Sequence, residues 1–403
     1  MRVENRTRVI YMDTQFLYIH RISLVASGLW PCNRTMLVQF QSFVFSLTMI
    51  SFIIFQLTTF LTTECTLDLI IEILSISFFQ LLCVIAYNSF WSNAHVLERL
   101  LKNLQYICSD LKDKNEIAII KRYGHIAKCV AIAFTLLTIC GIFILTLLPI
   151  LPRIFDIFFL VNVSEPYRNI YIRTEYFVDE EEYFYFILLH LYAVTYIEGV
   201  TLLGGAVTMT GYGIYSCGLF NIASYRIEQA IRINSDEVTN RKNKREIDKK
   251  ISHAVDIHRT SVEYTECYLY NFNGTYCMLT VILVICLSLH LFGIFQAIYL
   301  NRMDDFLIHC SFTVCTLTCS LGCNYMGQAY IDHYNNVFST VYNVRWYVAC
   351  VRVQRLILFL LQKGTKPYGM KFGGLYTLSL ESFAMLSTAS ISYFTVLCSL
   401  QKK

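Results

Sequence analysis

The stretch TYCMLTVILVICLSLHLFGIFQAIY, residues 275–299, carries no Lys, Arg, Asp or Glu. A helix rises about 1.5 Å per residue, so this run alone covers the roughly 30 Å of a bilayer's hydrocarbon. Six further apolar runs accompany it, over 36–62, 67–90, 129–151, 184–207, 306–326 and 376–399. One such run fits a buried helix of a water-soluble core, but seven require a bilayer. The composition agrees, with 55% hydrophobic residues, 15% charged residues and a mean hydropathy of +0.48. The expected fold class is all-α, a seven-transmembrane-helix membrane protein.

The connecting segments set an orientation. Of the 33 lysines and arginines, 27 fall in the amino-terminal segment and in the segments after runs two, four and six. By the positive-inside rule these belong in the cytoplasm, which predicts a cytoplasmic amino terminus and an extracellular carboxyl terminus. The segment between runs three and four is acidic and falls outside, and its Asn162, heading Asn-Val-Ser, is the glycosylation candidate. Asn5, Asn33 and Asn273 also head sequons but fall on the predicted inside, so the charge count carries more weight. The first twenty residues lack a signal-peptide core, and the first span is expected to direct insertion. Residues Val9 to Trp30 mix apolar residues with Asp13, His20 and Arg21, which suits an interfacial or re-entrant helix or an amphipathic helix packed on the bundle.

The chain shows no Walker loop, no HExxH, no GxSxG and no CxxC pair, and its nine histidines are scattered. An enzyme is therefore not expected, nor a metal or cofactor. Of the sixteen cysteines only Cys65 falls in an outer loop, with Cys310 and Cys398 near outer helix ends, so an extracellular disulfide framework is excluded. Cys315, Cys319 and Cys323 share one helix face, where small polarisable packing residues explain them better than a metal site. His190 and His290 lie mid-helix as ligand contacts or interhelical hydrogen-bond partners, the second being the plainer account.

The inner segments carry helical patterns of their own, in Leu97, Leu100, Leu101, Leu104, Ile107 and Leu111, and again in Ile247, Ile251, Ala254, Val255 and His258. These predict helices that extend the spans into a cytoplasmic anchor bundle. Before run seven, Val337, Val341, Val344, Val348, Val351, Arg355 and Leu358 form a heptad seam, and Trp346, Cys350, Val353, Ile357 and Leu360 a second. A helix apolar on two faces is expected to be buried within the subunit or to act as a subunit anchor, through Val341, Val344, Trp346, Val348 and Val351. The predicted segments are 1–35, amino-terminal; 36–326, transmembrane helices one to six; 327–371, anchor helix; and 372–403, helix seven.

Run seven is rich in hydroxyls, and Ser392, Val396, Ser399 and Leu400 share one face. Such a face suits a water-lined pore with an apolar constriction at Val396 and Leu400 that gates by dewetting.

KPYGMKFGGLYTLSLESFAMLSTASISYFTVL, Lys366 to Leu397, resembles the carboxyl-terminal signature of insect odorant receptors, a "LSLE-F" segment followed by Tyr-aromatic-x-Val-Leu. GYGIYSCGLFNIASYRIEQAI, Gly211 to Ile231, is similar to the fourth helix of hymenopteran members. Length, span number, orientation and the helix before run seven are consistent with the family over the whole chain. The resemblance implies an odorant-tuning subunit of an odorant-gated, non-selective cation channel, a hetero-tetramer with an obligate co-receptor subunit. It implies Val396 as the hydrophobic gate, and an odorant pocket in the outer half of helices two to six. On those halves lie Phe78, Phe79, Thr138, Gly141, Leu145, His190, Val194, His290 and Ile294. The implied partners are a small volatile ligand, membrane lipid and the co-receptor, with no nucleic acid, in the plasma membrane of an olfactory sensory dendrite. A gustatory-receptor-like channel is the nearest alternative. A G-protein-coupled receptor has the opposite orientation, and the chain lacks its Asp-Arg-Tyr and Asn-Pro-x-x-Tyr motifs. A transporter would carry charges deep in the membrane, where only Asp68, Glu72, Glu198 and Glu381 intrude, mostly near helix ends.

Overall fold

The computed structural model describes residues 18–32, 34–150, 172–180, 182–231, 241–348, 351–366, 368–374 and 376–401. Among the described residues seven helices are long and apolar enough to cross a membrane. They are the first span, Met36–Leu57 with a one-turn continuation Thr59–Thr62; the second, Leu67–Ser92; the third, Lys114–Leu147; the fourth, Phe184–Ile231; the fifth, Arg241–Tyr299; the sixth, Met303–Asn343; and the seventh, Leu380–Gln401. Side chains mark where several begin. Thr35 accepts from Val38 N at 3.4 Å, Thr66 from Leu69 N at 3.2 Å, Asp113 from Asn115 N at 2.8 Å and Ser379 from Ser382 N at 3.1 Å. Run seven begins later than its hydropathy predicts, because Tyr376–Thr377 pairs antiparallel with Lys371–Phe372 in a short hairpin turned at Gly373 and Gly374, both at positive φ.

Three helices run far beyond the hydrocarbon, the fourth with 48 residues, the fifth with 59 and the sixth with 41. Their extensions meet at the end that bears the basic segments. There the His258 ring lies 5.3 Å from Phe220, 5.4 Å from Tyr334 and 5.5 Å from Phe338, and Phe220 lies 5.2 Å from Tyr330. Glu116 of the third helix takes a two-pronged ion pair from Arg226 of the fourth, at 2.6 and 2.9 Å, while Arg226 also donates to the His253 carbonyl of the fifth at 3.1 Å. The helix Ala94–Asp110 closes this end with Leu97, Leu100, Leu101 and Leu104, all buried. Ile247, Ile251 and Ala254 are buried as their spacing predicts.

Of the segment from Val9 to Trp30, residues 9–17 lie outside the described residues, and Tyr18–Ala26 is a helix. It packs on the bundle with Leu24, Ser27 and Leu29, accepts a bond from Tyr87 Oη at the Ser27 carbonyl at 3.0 Å, and leaves Ile22 and Val25 exposed.

The single helix expected over 327–371 is two. The sixth helix stops at Asn343, a 3-10 turn covers Trp346–Val348, and a separate helix spans Val351–Gly364. The break lets the chain double back, so that Gly364 lies against the Phe338 ring. It also separates the two seams. Val337, Val341, Val353, Ile357 and Leu360 are buried in the chain's own core, Val344 and Trp346 are half-buried, and Val351, Leu358 and Phe359 face outward. The Val348 side chain and Cys350 lie outside the described residues, as does Asn162.

The seventh span is tied to the sixth at one place. Leu378 lies so close over Gly327 that a methyl group on this glycine would overlap the Leu378 carbonyl. One turn back along the sixth helix, buried Asn324 accepts from Tyr376 Oη at 2.7 Å and from Ser379 N at 3.3 Å, and donates to the Ser320 carbonyl at 2.9 Å. Burial pushes the Tyr376 phenol up to about 12, so it remains a hydrogen-bond donor across physiological pH. Gly327→Val is therefore expected to destabilise the protein by about 1–3 kcal/mol, the usual cost of overpacking. Gly274→Ala, which meets nothing within 4 Å, is expected to be neutral. Thermal unfolding of the two purified variants in detergent checks the contrast.

Candidate functional site

Polar ties between the membrane halves of the helices are few. Ser77 donates to Gln56 at 2.8 Å, Ser46 lies 3.2 Å from Asn88, Tyr192 donates to the Thr146 carbonyl at 3.0 Å, and Ser288 donates to the Ser390 carbonyl at 3.1 Å. Such bonds average about 0.6 kcal/mol in membranes. Between the second, third, fourth and sixth spans the packing opens into a cavity of about 290 Å³. Its wall is almost wholly apolar, as a binding site for a small hydrophobic molecule requires.

The structure gathers Phe79, Thr138, Gly141 and Leu145 in this wall. Val194 lines a small annex of about 20 Å³, which shares Leu145, Thr195, Glu198 and Phe312 with the main chamber. The other four candidates stand elsewhere. His190 ties the first span to the segment before the fourth, 3.2 Å from Ser51 Oγ and 2.8 Å from Tyr176 Oη. His290 is fully buried one layer behind the cavity, 3.1 Å from His309 and stacked on Phe312 with ring centroids 5.2 Å apart. Phe78 is absent from the cavity wall and packs on Ile71, Leu289 and Phe292, and Ile294, half-buried on the fifth, is outside the wall. The fifth helix supplies no lining residue to either chamber.

Several lining residues carry no sequence signal of their own. Phe134 and Leu137 belong to an evenly apolar third span, and Cys315 and Cys319, read as packing residues, face the cavity. Gly199 has a clearer role, since a methyl group there would collide with Ile142, and its absence lets the third and fourth spans approach closely at the chamber wall. Glu198 did have a signal, as the one acidic residue deep in run four. A second depression, of about 580 Å³, lies at the basic end among Asp110, Lys112, Asp113, Glu116, Arg226 and Lys250. Its walls are charged and mixed in sign, and Glu116 and Arg226 already satisfy each other there.

The seventh span behaves differently from the rest. Ser390 is its one fully buried residue, and Phe394, Leu397 and Cys398 lean on a cluster of Ile71, Leu289 and Phe292 that also holds Phe78. The opposite face is bare, with Val396 53% and Leu400 56% exposed and Ser392 and Ser399 exposed beside them. The Ser392 and Ser399 hydroxyls donate to the Thr388 and Val396 carbonyls at 2.9 and 2.7 Å, which leaves their oxygens free to accept from water. The four proposed gate residues therefore share a face that the described residues of this chain do not cover.

A family profile described as 7tm Odorant receptor matches residues 66–390. A structure of the insect olfactory receptor OR5 from Machilis hrabei in complex with eugenol superposes with a TM-score of 0.75, covering 97% of this chain and 99% of that one at 14% identity. A second structure of the same receptor gives a TM-score of 0.73 over 96% and 98% at 15% identity. These likenesses concern the fold. No curated protein matches in sequence.

A side chain at Gly141 would meet nothing within 4 Å, because the glycine faces the open chamber. Gly141→Leu is expected to fold normally while filling the cavity, and so to lose the thermal stabilisation that saturating n-octanol gives the parent. At ten times its Kd a ligand contributes about 1.4 kcal/mol, enough to shift the midpoint of unfolding measurably.

Proposed function

The chain belongs to the 7tm odorant receptor family, and from that premise we propose that it is an odorant-tuning subunit of a ligand-gated, non-selective cation channel. It is a multi-pass membrane protein of a receptor family, not an enzyme. In the proposed arrangement the basic end faces the cytoplasm and the carboxyl terminus the outside of a plasma membrane. The cavity between spans two, three, four and six holds the volatile, chiefly by shape and apolar burial at about 25 cal/mol per Å². The related receptor OR5 from Machilis hrabei was solved with eugenol, a small aromatic molecule of the kind such a chamber suits.

The observation that carries this reading is the pair Phe78 and Phe79. Phe79 lines the cavity, while its neighbour Phe78 packs on Ile71, Leu289 and Phe292, the cluster on which Phe394, Leu397 and Cys398 of the seventh span also rest. One turn of the second span thus borders the ligand chamber and also packs on the cluster that supports the helix proposed to line the pore. A ligand opens the pore only by binding the open arrangement more tightly, and a tenfold difference supplies about 1.4 kcal/mol. Four seventh helices around an axis, some from the co-receptor, would bring Val396 and Leu400 into a narrow apolar ring that excludes water when closed. The outward Val351, Leu358 and Phe359 on the helix before the seventh span supply an apolar face for a neighbouring subunit, and Val341, buried in its own chain, does not.

Co-expressed with an insect odorant co-receptor, the chain is expected to give an odorant-evoked cation current in excised patches without GTP. Val396→Ala is expected to raise the current without odorant several-fold. A current that requires a G protein contradicts the channel reading, and a Val396→Ala channel with unaltered conductance and basal opening contradicts the gate.

A further inference from the structure

Two side chains that line the annex each carry an unsatisfied oxygen. Glu198 lies on the fourth span, 6% exposed, and its Oε1 has no hydrogen-bond partner. Gln80 of the second span, 2% exposed, also has an Oε1 without a partner. Both side chains line the annex, and Glu198 lines the main chamber as well. The third polar side chain of the annex, Thr195, gives its hydroxyl hydrogen to the Leu191 carbonyl at 2.9 Å and presents only lone pairs. The rest of the annex wall is aliphatic or aromatic. In the main chamber Thr138 and Ser311 likewise turn their hydrogens to the Phe134 and Leu307 carbonyls, at 2.9 and 2.8 Å.

This corner therefore holds two bare acceptor oxygens, and buried acceptors without donors are rare because they are unfavourable. A carboxyl keeps an acceptor oxygen whether it is ionised or protonated, so a guest that satisfies the two bare oxygens must donate. The annex, at about 20 Å³, has room for about one water-sized group. A hydroxyl meets both conditions, being neutral, one heavy atom in size, and a donor. The carbon skeleton behind it then lies in the apolar chamber of about 290 Å³.

We propose that Glu198, with Gln80 beside it, seats the hydroxyl group of a small, otherwise apolar alcohol or phenol, and so sets which volatiles this chain admits. The proposal rests on reading the larger cavity as the odorant site. An ether of the same shape accepts but does not donate, so it supplies no hydrogen to either bare oxygen. Discrimination of about ten- to hundredfold against the ether follows, as for other sites that bury a polar group for one substrate hydroxyl.

The test compares isomers that differ in this one respect, n-octanol with heptyl methyl ether and phenethyl alcohol with benzyl methyl ether. Each is applied to the chain with its co-receptor, reading the half-maximal concentration for current and the thermal stabilisation of the purified complex. At least one alcohol is expected to act at about tenfold lower concentration than its ether. Glu198→Leu should erase that preference by weakening the alcohol alone, and Glu198→Gln, which keeps an acceptor, should retain part of it. Equal behaviour of alcohol and ether in both pairs, silence included, overturns the proposal, as does a preference that survives Glu198→Leu. A stronger response to n-octylamine than to n-octanol also overturns it, by assigning the corner to an ammonium. Should Glu198→Leu fail to reach the membrane, the parent comparison and Glu198→Gln decide. If Gly141→Leu leaves the responses to alcohols and ethers alike unchanged, the cavity reading itself fails, whatever Glu198 does.

Discussion

Inside hydrocarbon an apolar side chain gains little by exchanging lipid for a neighbouring helix, and the rest of the structure follows from that constraint. Each apolar run must pair its backbone within itself and becomes a helix. What then holds helix to helix is close approach and a few polar ties, and the tight packing moves to where the helices leave the bilayer. The rings of Phe220, His258, Tyr330, Tyr334 and Phe338 interlock there, and Glu116 grips Arg226, along extensions of the fourth, fifth and sixth helices. Within the spans the same constraint tolerates a cavity, because a chamber among loosely tied helices forgoes little stability and gives a volatile molecule a place to enter.

The seventh span shows the constraint at its limit. It buries Ser390 and little else in its own subunit, yet its foot is fixed firmly by Leu378 over Gly327 and by the bonds of Asn324 to Tyr376 and Ser379. A helix pinned at its base and resting lightly on one side is able to tilt. The cluster of Ile71, Leu289 and Phe292 carries Phe78 of the second span as well as Phe394 and Leu397 of the seventh. The LSLE stretch thereby acquires separate physical duties, since Leu378 seats against the sixth helix, Ser379 caps the seventh, and Glu381 places a negative charge at its amino-terminal end.

Much of this was legible in the chain, because hydropathy needs only composition and length. All seven runs are helices, and the stripes of Leu97 to Leu104 and Ile247 to Ala254 turn inward as their spacing predicts. The break after Asn343 was not legible, since no proline or glycine marks it. Its cause is tertiary, the return of Val353, Ile357 and Leu360 onto the core, and a periodicity carried across the break merges two helices into one. The cavity was legible in part. Thr138, Gly141 and Leu145 share one helix face by spacing and line one cavity together, whereas Phe78 against Phe79, and His290 against Phe312, depend on helix rotation, which hydropathy does not fix. Glu198 stood out only as an acidic residue in an apolar run, and its position at the mouth of the annex gives that oddity a use.

The central claim is that the bare face of the seventh span lines a water-filled path that opens when the cavity is occupied. The most direct measurement is the access of a charged, membrane-impermeant thiol reagent to Val396→Cys in the channel formed with co-receptor, compared with the parent chain under the same reagent. The account predicts rapid, irreversible block of the Val396→Cys current while odorant is present, little block in its absence, and none in the parent. Full-sized odorant currents from Val396→Cys that the reagent never alters, with odorant or without, would contradict it.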